Sequence, residues 1–185
     1  GFDYFNIKIP GMKTSLSDLY YSADSISGSL NELVASDRSG FVIKQLKGDF
    51  KYTNTGAEIK NLYAETPRTL LRDYVKVTYP SLDIVAKKPE LLYVNANIKK
   101  SHVDMRDIYY FAPFLDTMQV MKPLMDKKFA IDGRVVGKVN DLNIPAIDFQ
   151  TLSNTRVIAS LRLRGLPEVD KMSLDLNLKK LTTGR

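Results

Sequence analysis

The side chains that could do chemistry are few and scattered. A single histidine, His102, stands just ahead of Asp104 and Asp107. The two carboxylates lie one helical turn apart and could approach a cation together, but a metal site needs several convergent ligands. Capping and the favourable field at a helix N-terminus explain the pair better, and His102 reads as a surface or packing residue. Cysteine is absent, which removes disulfides, thiolate metal sites and a thiol nucleophile. There is no G-x-S-x-G elbow, phosphate loop or H-E-x-x-H pair. The sequence points to a non-enzymatic protein with no cofactor and no resident metal.

The charge balance is basic, with 27 Lys plus Arg against 21 Asp plus Glu, but the cations form no long run. Arg156, Arg162 and Arg164 alternate with apolar residues. A nucleic-acid platform would set such groups beside exposed aromatics on the same face, so no nucleic-acid partner is expected. The arginines read as a solvated outer face that discourages edge aggregation. Met118, Met121 and Met125 read as adaptable packing in preference to a mobile lid. No apolar run approaches the roughly 20 residues of a spanning helix.

The elements that would position any site are strands. In Lys127 to Val139, Phe129, Ile131, Gly133, Val135, Gly137 and Val139 share one parity, and Lys128, Asp132, Arg134 and Lys138 share the other. Strand side chains alternate between faces, so this segment is a ribbon with one apolar and one mostly charged face. The pattern recurs with Phe50, with Val75 and Val77, and with Leu92, Val94 and Ile98. It returns with Val157, Leu161 and Leu163, and with Leu174 and Leu176. Tyr4 to Ile9 reads as a first strand closed by Pro10-Gly11, and the serine-rich segment from Leu16 to Val34 as short strands. Turns are expected at Asp37 to Gly40, at Thr53-Asn54-Thr55-Gly56 with the positive φ that Asn and Gly tolerate, at Pro67-Arg68, and at Lys87 to Glu90. A bulge near Pro145 would keep one face apolar as the parity switches.

Between His102 and Asp126 the period changes. Ile108, Phe111, Ala112 and Leu115 follow helical spacing, capped by Asp104 or Ser101 and interrupted at Pro113 into two short turns. The expected fold is all-β, an antiparallel meander of about ten strands with one short interrupted helical segment. Residues 1–40 form N-terminal strands, and residues 41–185 one continuous sheet with a helical insertion at about 103–126, all in one domain. One helical insertion is too little to cover so wide an apolar face, so the sheet must either close as a sandwich or barrel or curl into a trough. In a trough, Gly133 and Gly137 would leave floor space for a ligand.

Four stretches also resemble a known family. These are Thr69-Leu70-Leu71-Arg72-Asp73-Tyr74-Val75-Lys76-Val77-Thr78-Tyr79-Pro80, then Asp107 to Leu115, then Ile131-Asp132-Gly133-Arg134-Val135-Val136-Gly137-Lys138-Val139-Asn140-Asp141-Leu142, and Leu161 to Pro167. Their order and spacing from about Phe41 onward are similar to TamB and AsmA-like proteins of the Gram-negative envelope. The resemblance implies a curved, taco-like β-groove with an apolar interior, belonging to a long periplasmic protein anchored in the inner membrane. It implies phospholipid or another acyl-chain ligand, a role in outer-membrane biogenesis, and an outer-membrane β-barrel partner reached through parts of the parent not present here. The family's N-terminal anchor and C-terminal partner-binding region are missing, so the chain reads as an internal excerpt. The alternative is a structural or assembly module with a closed, packed core that aids insertion of outer-membrane proteins by protein contacts.

Overall fold

The computed structural model describes residues 9–38, 40–111, 122, 124–151 and 155–183. The chain is all-β. Its strands are β1 (Gly11–Tyr21), β2 (Ser25–Ser36), β3 (Val42–Thr53), β4 (Gly56–Glu65), β5 (Leu70–Thr78), β6 (Tyr93–Asp104), β7 (Lys128–Lys138), β8 (Asp141–Thr151), β9 (Thr155–Arg164) and β10 (Ser173–Thr183). They form one antiparallel sheet in strict sequence order, so every strand pairs with its neighbours in the chain. The sheet is not closed, because β1 and β10 each pair on one side only. That excludes the barrel expected as one way of burying the apolar face.

The strands before Phe41 are full-length members of this sheet, where short strands were expected. Their alternation is blurred in the sequence by register shifts at Ser15/Leu16, at Ser17/Tyr20 and at Leu30/Leu33. Shifts of this kind recur in all nine pairings, and the bulge expected near Pro145 is one of them, between Ile144 and Ile147. Gly48, Asn61, Asp73 and Lys100 sit at four of the others with positive φ. A bulge bends its strand and increases the local twist. The nine pairings carry eleven such shifts, with two each in the β1–β2 and β2–β3 pairs.

Tyr4 to Lys8 lie outside the described residues, and Gly11 opens a strand instead of closing one. The Thr53 to Gly56 hairpin is present, but neither Asn54 nor Thr55 takes a positive φ. The Thr53 hydroxyl sets this turn, accepting from Thr55 N–H at 3.3 Å and donating to the Gly56 carbonyl at 3.1 Å. The turn expected at Lys87 to Glu90 is more elaborate. A helix, α1 (Leu82–Lys87), precedes a single 3-10 turn at Pro89–Leu91, with Asp83 in its first turn and Lys87 in its last, as the helix dipole favours.

The helical insertion begins later than expected, since β6 runs through to Asp104. A second helix, α2 (Met105–Phe111), follows, and its caps are resolved in favour of Asp104. The Asp104 carboxylate accepts from Arg106 N–H at 3.0 Å. Ser101 instead serves the bulge, accepting from Arg72 N–H and donating to the Lys99 carbonyl, each at 2.9 Å. Ala112, Pro113, Leu115, Met118 and Met121 fall outside the described residues. Asp104→Ala is expected to lower stability by about 1 to 2 kcal/mol through loss of this cap, read as a shift in the denaturation midpoint.

Candidate functional site

Register determines which side chains share a face. Tyr21 opposes Ile26, which opposes Tyr52, then Ala57, Val77, Val94, Gly137, Leu142, Leu163 and Leu174. This single transverse row crosses all ten strands and contains no charged or amide side chain. The adjacent row runs Tyr20, Ser27, Lys51, Glu58, Lys76, Asn95, Val136, Asn143, Arg162 and Asp175, and points to the other side. Alternation therefore builds one apolar and one polar face across the full width of the sheet.

The residues expected to line an apolar surface fall together. Phe50 and Val75 join Ile59 in a second apolar row, and Ala96 carries that row from Val75 to Val135. Leu161 links Ile144 to Leu176. Ile98 opposes Gly133, and Gly133 opposes Ile147. Ile131 opposes Phe149, which opposes Val157, while Phe129 meets the Phe149 ring edge-on at 5.6 Å between centroids. Leu92 and Val139 are not strand residues. They cap the same end of the sheet and meet through a 2.8 Å bond from Val139 N–H to the Leu92 carbonyl.

The glycines require correction. A Cβ on Gly133 would stand 3.2 Å from the Ala146 carbonyl oxygen and 3.4 Å from Ile147 Cγ1, and one on Gly137 would collide with the Asp141 carbonyl. Gly137 also has φ +134°. These glycines allow close approach of β8 and the tight β7–β8 turn, and leave no open floor.

Among the described residues little covers the apolar face. Among the described residues no large side chain is completely buried; the buried apolar ones are Ala35, Leu62, Tyr79, Ala96, Met105, Phe129 and Ala159. Most of the face is half-buried, shielded by its own neighbours. At the end opposite the β7–β8 turn, α2 lies over the sheet beside a recess of about 360 Å³ walled by Phe41, Ile43, Leu46, Leu71, Val103 and Ile108. Sequence reasoning did not find this recess, although the apolar residues of β3 and the Ile108 stripe were its signal. Its rim is pinned by buried Asp107, which accepts from Thr66 Oγ1 at 2.6 Å and pairs with Arg68 at 2.7 Å.

The opposite face is held by cross-strand ion pairs: Lys13 with Glu32, Lys76 with Glu58, Lys99 with Asp73, Arg156 with Asp148, Arg162 with Asp141 and Arg164 with Asp175. The arginines expected on a solvated outer face are here, paired to carboxylates of neighbouring strands. Hydrogen bonds from Arg106, Arg156 and Arg162 hold Asp104, Asp148 and Asp141 below the ordinary carboxylate range. Burial, with Lys128 and Arg72 nearby, lowers His102. Each of these groups binds its proton less readily in the folded chain than in the unfolded one, so acid favours unfolding. The contribution of these groups should be complete above about pH 6.5, the ordinary histidine value, and fall first as His102 is forced to charge. It should fall again below about pH 4 as the carboxylates protonate. Thermal unfolding at pH 7.5, 5.5 and 3 checks this, and His102→Gln should remove the first decrease. A midpoint that rises on acidification would contradict the assignment.

Among the described residues no three His, Cys, Asp or Glu side chains converge, and no helix is long and apolar enough to cross a membrane. Comparison with protein families, curated proteins and solved structures finds no match to this chain. The candidate site is therefore the apolar face itself.

Proposed function

We propose that this chain is a segment of a TamB-like or AsmA-like periplasmic protein, whose apolar face shields acyl chains and helps phospholipid move between the inner and outer membranes. The observation that carries the reading is the unbroken apolar row from Tyr21 to Leu174 on a sheet that is not closed and that, among the described residues, has little helix to cover it. Uncovered apolar surface on this scale calls for an occupant. An acyl chain suits it, because each methylene removed from water contributes ~0.8 kcal/mol and a continuous row offers no single deep site in which to stop.

Bulges on every strand pair support curling toward the apolar side, which would make the sheet a taco-like trough. Lipid head groups then stay at the mouth while tails lie along Val94, Val135, Leu161 and Leu163. On this reading the parent is anchored in the inner membrane and meets its outer-membrane barrel partner through other segments. Native mass spectrometry of the chain purified from a Gram-negative host tests the proposal. Retained phospholipid is the expected result. A chain that emerges without lipid and takes none up from vesicles would favour a protein-contact role in outer-membrane protein assembly.

A further inference from the structure

Helix α2 leans back across the strands that precede it. Asp107 reaches Thr66 and Arg68 at the β4–β5 turn, at 2.6 and 2.7 Å, and Tyr110 stacks on Phe41, just ahead of β3, at 5.4 Å between ring centroids. Part of the apolar face therefore lies between sheet and helix. That part is the recess of about 360 Å³ walled by Phe41, Ile43, Leu46, Leu71, Val103 and Ile108. It is continuous with the open face, because Leu46 opposes Leu33 and Val103 opposes Phe129.

The polar groups beside the recess are engaged with one another. The Thr66 hydroxyl and Arg68 serve Asp107, the Thr69 hydroxyl accepts from Asp104 N–H at 3.1 Å, and the Glu65 carboxylate accepts from Tyr63 at 2.7 Å. A lipid head group entering here would exchange water for partners already occupied, which is unfavourable. Hydrocarbon gains instead. An apolar cavity of about 150 Å³ holds a benzene ring, so this recess has room for a longer piece of chain. On the open face a tail touches protein on one side. In the recess it meets sheet below and helix above, and each methylene is more completely removed from water.

We infer that the recess under α2 is a holding site for the terminal end of one acyl tail, where a lipid moving along the face comes to rest. The inference rests on the reading of the apolar face as a lipid track, and it names the place on that track where a tail is retained. The long apolar row at the other end of the strands offers no such stop. Asp107, which joins α2 to the β4–β5 turn, is the positioning residue that keeps the roof in place.

The chain has no tryptophan, so a single one reports on its own surroundings. Phe41→Trp places it in the wall of the recess, and Phe50→Trp places it on the open apolar face. Each variant is loaded from phosphatidylethanolamine–phosphatidylglycerol vesicles and then separated from them. The tails carry bromine, a quencher of tryptophan, either beside the terminal methyl or close to the carbonyl. Phe41→Trp should lose most of its emission with bromine at the tail end and little with bromine near the carbonyl. Phe50→Trp should be quenched by both. Adding Ala64→Leu, whose longer side chain fills the recess, should restore the Phe41→Trp emission and leave Phe50→Trp quenched, with thermal unfolding confirming the fold. Equal quenching of Phe41→Trp by the two lipids, or none there while Phe50→Trp is quenched, would overturn the holding site and leave the lipid track standing. No quenching of either variant would overturn both.

Discussion

Aspartate at Val94 or Leu161 is expected to reduce transfer of fluorescent phospholipid between vesicles by roughly tenfold or more, while leaving the sheet intact. Both residues are half-buried on the apolar face, in strands paired on both sides, where register fixes their direction. Each substitution removes methyl groups worth ~0.8 kcal/mol apiece against an acyl chain. It also sets a carboxylate where the bound tail leaves no water to solvate it, a further cost of several kcal/mol. Folding suffers less, because the free apolar face is open enough for the charge to stay hydrated. Asn143→Asp is the matching control. Asn143 lies in the polar row opposite Arg162, so the added charge falls on the other face and transfer should be unchanged.

The second large effect concerns the fold. Alanine at Gly137 is expected to destabilise the chain by roughly 2 to 4 kcal/mol, combining a backbone conformation that L-residues rarely adopt with a collision against Asp141. Gly137 is a member of the transverse apolar row and adjoins the β7–β8 turn, so the damage should spread to the pairing of Gly137 with Leu142. Gly11→Ala, where a Cβ meets nothing within 4 Å, should stay within about 0.5 kcal/mol of the parent. Urea unfolding of the two variants checks both. Equal effects would mean that Gly137 is not held in the strained conformation.

Much of the sheet was legible because its physics is local. Alternation in Phe129 to Val139, in Val157 to Leu163 and in Leu174 to Leu178 fixed which residues share a face. Turn-forming residues at Asp37 to Gly40 and at Thr53 to Gly56 fixed where the chain reverses. What alternation could not reveal were the places where it breaks. In β6 the apolar positions are even at Val94, Ala96 and Ile98 and odd at Val103, and in β10 they are even up to Leu178 and odd at Leu181. Such parity switches are the signature of a bulge, recognised in the sequence only near Pro145. The same switches hid β1 and β2 as full-length strands.

Helix α1 was missed for a different reason. Six residues are too few for a periodic stripe, and Lys87 to Glu90 carries a turn signature that dominates its surroundings. The glycines were misread because a missing side chain looks the same in sequence whether it leaves space or admits a neighbouring backbone. Only the approach of Ala146 and Asp141 distinguishes the two. The recess under α2 depends on contacts between β3, β5 and a helix far along the chain, so the apolar residues of β3 and the Ile108 stripe signal its walls without showing that they meet.

The central claim, that the apolar face carries lipid, is tested most directly by photocrosslinking in cells at paired positions on β7 and β9. Val135 and Leu161 point to the apolar face, and Arg134 and Arg162 to the polar one. Crosslinkers at Val135 and Leu161 should capture phospholipid, with little capture at Arg134 and Arg162. Capture only from the arginine positions would contradict a lipid track on the apolar face.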